Sequence, residues 1–90
     1  MTVDELLKSR EKYLPGSPEY RALISQTIKD LVRSYLDPKA DDVSRECLDM
    51  IAHKLARILG GKWDHIDNWE DIAGYAMLAA NELRKMPPQD

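Results

Sequence analysis

Ninety residues carry 13 basic and 16 acidic side chains, a net charge of −3, with 43% apolar and 32% charged residues and one cysteine. Interspersed charge and this apolar share exclude a disordered chain, and the length suits one core with no room for a second module, so residues 1–90 are read as one domain. The acidic balance argues against broad electrostatic capture of nucleic acid or an anionic membrane and leaves room only for a local basic patch.

The N-terminal stretch MTVDELLKSREK has neither a charged leader followed by an apolar run nor any approach to the roughly 18 apolar residues of a membrane span, so the cytoplasm is the expected compartment. Thr2 and Glu5 form a capping box, and Val3, Leu6, Leu7, Tyr13 and Leu14 follow helical spacing, which predicts a first helix over residues 3–14. Pro15-Gly16-Ser17-Pro18 ends it and opens a second over residues 18–36, with Ser17 as cap and Pro18 in the first turn. Leu23, Ile24, Ile28, Leu31, Val32 and Tyr35 form its expected core face, leaving Arg21, Lys29, Asp30 and Arg33 to solvent.

Asp37-Pro38 stops that helix, and Asp41 or Asp42 caps a third over residues 43–59, in whose apolar run Cys47 is expected as a buried thiol. Gly60-Gly61 closes it, and a connector holding Trp63, Asp64 and His65 follows. Asp67 with Glu70 reads as a second capping box opening a fourth helix over residues 68–85, before Pro87-Pro88 and a frayed tail at residues 87–90. Ala73, Gly74, Ala76, Ala79 and Ala80 let a neighbouring backbone come close, so this helix is expected at the centre of the bundle or in a dimer interface. No segment alternates with the period of a strand. The expectation is an all-α bundle of about four helices, joined by short connections that favour antiparallel neighbours and stabilised by dimerisation or a higher oligomer.

Two polar groups stand out. Glu46, Asp49, His53, Lys54 and Arg57 repeat at helical spacing on the third helix, which describes either a solvated face or a binding stripe. Asp67, Glu70, Asp71 and Tyr75 repeat on the fourth, where carboxylates suit the positive end of the helix dipole and an aspartate pair could also share magnesium with substrate phosphates. Two histidines and one cysteine are too few for zinc, and no phosphate loop or hydrolytic triad has a recognisable motif. Trp63 and Trp69 flank the connector and are expected to seal the bundle end or, less simply, to stack on a nucleobase.

The segment HKLARILGGKWDHIDNWEDIAGYAMLAA, within a stretch from Val43 to Leu83, resembles phage and prophage proteins related to the MazG-like all-alpha nucleotide pyrophosphohydrolases. Lys54-x-x-Arg57 and Asp67-x-x-x-Asp71-Ile72-Ala73-Gly74-Tyr75-Ala76 carry the likeness, DIAGYA most specifically. The resemblance implies magnesium held by Asp67 and Asp71, with Glu46 and Asp49 as the nearest counterparts of an acidic cluster on the earlier helix. It also implies nucleotide contacts from Lys54 and Arg57, with His53 and Tyr75 as further candidates. Two functions stay open: nucleotide binding with magnesium, with or without hydrolysis to monophosphate and pyrophosphate, and a non-enzymatic phage module that occupies a host protein, such as an inhibitor of a host defence complex, in the host cytoplasm.

Overall fold

The computed structural model describes Thr2, Val3 and residues 14–86. Among them are three helices and no strand: α1, Pro18–Tyr35; α2, Asp42–Leu59; and α3, Ile66–Arg84. The all-α expectation is met, with three described helices where about four were expected. The helix expected over residues 3–14 falls almost wholly outside the described residues, as does the tail at residues 87–90. No helix among the described residues is long and apolar enough to cross a membrane.

Local chemistry accounts for the boundaries. Ser17 Oγ accepts from the Tyr20 backbone N–H at 3.0 Å and Pro18 enters the first turn of α1, an arrangement that satisfies one free N–H and wastes none at the proline. Asp41 is the cap of α2, its Oδ1 accepting from the Ser44 backbone N–H at 2.7 Å. The short turn before it is clamped by Arg45, which donates to the carbonyls of Ala40 at 3.0 Å and Pro38 at 2.9 Å.

The start of α3 corrects the sequence reading. The helix begins at Ile66, so Asp67 lies inside its first turn and the cap position falls to His65, which makes no side-chain capping bond. The connector is instead held by Trp69, whose indole N–H donates to the Trp63 carbonyl at 2.8 Å, and by the Asn68 N–H bonded to the His65 carbonyl. Both tryptophan side chains are exposed. They do not seal the bundle end; Trp69 works through its N–H.

The middle helix is α2. It packs against α1 on one flank and α3 on the other, and these are the extensive contacts among the described helices. The chain order with short connectors makes both neighbours antiparallel to α2, and cross-helix approaches such as Gly60 to Arg21 and Lys54 to Asp71 agree. Among the described helices α3, expected at the centre of the bundle or in a dimer interface, lies beside the middle helix α2 and is not itself the centre. Buried apolar side chains among the described residues are Cys47, Ala52, Ala56 and Ile58, all on α2. Cys47 is thus buried as expected. On α1, Ile24, Ile28 and Val32 are half-buried, but Leu23, Leu31 and Tyr35 are exposed, which halves the expected core face.

Gly60 marks the crossing of α1 and α2. A methyl group added there would stand 2.9 Å from Arg21 Cγ and 3.2 Å from Ile24 Cδ1. Its carbonyl also accepts from the Gly16 N–H at 2.9 Å. Gly16 has φ +87°, a conformation side chains rarely adopt. The two glycines pin the entry of α1 to the exit of α2.

Candidate functional site

The polar residues of α2 divide between its two flanks. Residues 53 and 54 differ by 100° around a helix, which is enough to send them to different neighbours. Lys54 turns to α3, where its Nζ lies 2.9 Å from Asp71 Oδ2. His53 and Arg57, one turn apart, turn to α1.

There they meet Arg21, Ser25, Gln26 and Lys29 around an open groove of about 340 Å³ that Pro18, Ala22 and Ala56 also line. Small residues at the crossing keep the helices close, so cations from both helices reach the same space. Arg21, Lys29 and Arg57 are basic, and among the described residues the lining holds no carboxylate. Arg21 is steadied by donating to the Gly16 carbonyl at 3.3 Å. Ser25 is 7% exposed and is the buried residue of α1.

His53 reports the field in this groove. Its pKa is lowered, first by burial and then by the positive charges of Arg57, Lys29 and Lys54. The imidazole therefore stays neutral at pH 7 and gains a reason to protonate when an anion enters. An anion in the groove would meet bidentate donors from two arginines, a lysine charge and uncharged donors from Ser25 and Gln26.

The acidic candidates sit elsewhere, Asp67 and Asp71 on α3 and Glu46 and Asp49 on α2. Asp67 and Asp71 are successive turns of α3, but Asp71 is paired with Lys54, and Asp67 Oδ2 lies 3.5 Å from His65 Nε2. Glu46 and Tyr75 line a separate pocket of about 300 Å³ between α2 and α3, together with Asp42, Val43, Cys47 and Leu78. Glu46 is eleven residues from Arg57 along α2, roughly 16 Å at the helical rise. Asp49 is half-buried between them. Among the described residues, no three acidic, histidine or cysteine side chains gather in a way that could hold a metal ion. Asp67 and Asp71 alone do not complete a magnesium shell, so they fit that metal only with ligands from elsewhere.

The structure thus brings together His53 and Arg57 from the sequence candidates, pairs Lys54 with Asp71, pairs the surroundings of Glu46 with Tyr75, and leaves Asp67 at the start of α3. Sequence reasoning missed Arg21 and Lys29, which it assigned to solvent. Their signal was present: Arg21, Ser25 and Lys29 recur every four residues, a row on one face of α1. His53 and Arg57 recur the same way on a helix that a short turn makes antiparallel to it.

Comparison of the chain with family models, with curated proteins and with solved structures finds no match. The likeness to MazG-like proteins therefore rests on the residues between Val43 and Leu83 alone.

Proposed function

We propose that this protein is a helical nucleotide-binding protein of the MazG-like kind, which takes the phosphate chain of a nucleoside triphosphate into the groove between α1 and α2. The observation that carries this reading is the convergence of Arg21, Lys29, Arg57 and His53 on one open groove with no acidic residue among its described lining. In a chain of net charge −3, such a local concentration of cations has to be built against the general balance, and phosphate oxygens are the ligands that match it.

Arg57 and Arg21 grip phosphate oxygens from opposite walls, Lys29 neutralises charge, and His53 supplies a further donor once protonated. Lys54, a nucleotide contact by the resemblance, acts in this reading by keeping α2 in register with α3. Magnesium enters bound to the nucleotide's own phosphates, which need only one or two protein carboxylates. The proposal is for binding: among the described residues, no further acidic side chain joins Asp67 and Asp71 in a group that could hold the metal of a hydrolytic step. Calorimetric titration with nucleoside triphosphates and with inorganic tripolyphosphate, each with and without magnesium, tests it. Saturable binding that Arg57→Gln weakens supports the reading, and silence across the panel refutes it.

A second reading, a module that occupies a host protein, draws its support from the exposed apolar side chains of α3, Trp69 and Leu83 among them. It predicts a stoichiometric partner and no nucleotide binding.

A further inference from the structure

The cations of the α1–α2 groove stand in a fixed order. A methyl group built on Gly60 would lie 2.9 Å from Arg21 Cγ, so residues 21 and 60 are level with one another. Eight residues further along α1, and as many back along the antiparallel α2, Lys29 comes level with Ala52 and His53, and its charge acts on the His53 ring. Arg21 and Arg57 therefore make one end of the groove and Lys29 and His53 the other, with Ser25 between them. From Arg21 to Lys29 the helix rises roughly 12 Å, about twice the reach of the two P–O–P bridges in a triphosphate. A triphosphate gripped by the two guanidiniums leaves the far end of the row unfilled.

We propose that the groove is built for a phosphate chain longer than three units, so that nucleoside tetra- and pentaphosphates are its preferred ligands. This rests on the nucleotide reading of the same groove and adds the length of the chain. Arg21 and Arg57 hold the phosphates next to the nucleoside through paired guanidinium donors. Ser25, midway along the row and 7% exposed, offers its hydroxyl to the middle of the chain. Lys29 and His53 take the phosphates at its free end, where the charge is greatest.

The two ends of the row differ in a way that sets the direction and limits the length. Past Lys29 the charge changes sign: Asp30 follows it on α1, paired with Arg33, and Asp49 stands about one turn before His53 on α2. A chain that runs beyond Lys29 meets carboxylates, so the gain from added phosphates stops there. At the arginine end α2 closes on Gly60 and the exposed Gly61. A residue without a side chain leaves that end open for the nucleoside.

Calorimetric titration with adenosine di-, tri-, tetra- and pentaphosphate at fixed magnesium tests the length, because the nucleoside stays constant while the chain grows. The tetraphosphate should bind about tenfold more tightly than the triphosphate, the gain from one charge-assisted contact. Lys29→Gln should abolish that step while changing triphosphate binding little, and Lys29→Arg should keep it. Lys39→Gln removes the same unit charge from an exposed position outside the groove and should leave the step intact. Thermal melts show that each variant is folded. A triphosphate that binds as tightly as the tetraphosphate would overturn the chain-length proposal and leave the nucleotide reading standing. So would equal loss of the step in Lys29→Gln and Lys39→Gln, the mark of net charge alone. No binding by any member of the series sinks both.

Discussion

Lys54 and Asp71 join the middle helix to α3 across 2.9 Å, with 17% of the lysine side chain exposed against 48% of the aspartate. The lysine side chain is the more buried of the two, so removing the carboxylate leaves its charge without this partner, whereas removing the lysine leaves a half-exposed carboxylate that water can serve. Asp71→Asn should cost about 1 kcal/mol, a loss of several degrees in Tm for a domain of this size. Lys54→Met should cost less, and thermal melts of both variants measure the asymmetry.

Gly60 and Gly74 respond oppositely to one added methyl group. At Gly60 the new carbon meets Arg21 Cγ, the Ala56 carbonyl and Ile24 Cδ1 within 3.2 Å, while at Gly74 nothing lies within 4 Å. Gly60→Ala should force α1 and α2 apart at a cost of about 1–3 kcal/mol and should disturb the groove through Arg21. Gly74→Ala should stabilise the helix by about 0.5–1 kcal/mol. Denaturant midpoints of the two variants should move in opposite directions.

His53 makes stability and anion binding respond to pH in opposite senses. Burial and the cations Arg57, Lys29 and Lys54 hold its pKa below the ordinary value, so below about pH 6.5 the unfolded chain takes up a proton that the folded chain resists. The stability present above that pH is lost as pH falls towards the lowered pKa. A bound phosphate chain favours the protonated ring, so binding should tighten over the same interval. His53→Gln should flatten both responses. Comparing variant and wild type at each pH removes the contribution of the ligand's own titration.

Asp41 governs acid sensitivity at the start of α2. Hydrogen bonds from the Ser44 hydroxyl and backbone N–H hold its carboxyl below the ordinary aspartate range. The stability it contributes is present above about pH 4 and is lost as pH falls through the lowered value. Asp41→Ala should lower Tm at neutral pH and Asp41→Asn should recover much of it, because an asparagine oxygen still caps the helix. Melts at neutral and acid pH separate the cap from its charge.

Punctuation made the helices legible. Ser17-Pro18, Asp37-Pro38, Asp41 and Gly60-Gly61 each act locally, so their meaning survives without tertiary information, and α1 and α2 start and end within a residue of expectation. The start of α3 misled because Asp67 and Glu70 have the spacing of a capping box, while the helix begins two residues earlier, at Ile66, beside a connector held by the bond from the Trp69 indole N–H to the Trp63 carbonyl. The site was legible only in halves. His53, Lys54 and Arg57 share a stripe in projection, yet α2 has a neighbour on each flank, and those neighbours divide the stripe. Arg21 and Lys29 looked like solvated charges because a charge row gains meaning only when a second row faces it.

The central claim is that the α1–α2 groove receives a polyphosphate, and the most direct measurement is amide chemical-shift mapping during titration with a nucleoside triphosphate. Saturable shifts should cluster at Arg21, Ser25, Lys29, His53 and Arg57, and Arg57→Gln should weaken the titration. Shifts confined to the region of Asp67 and Asp71, or no shifts at all, would contradict it.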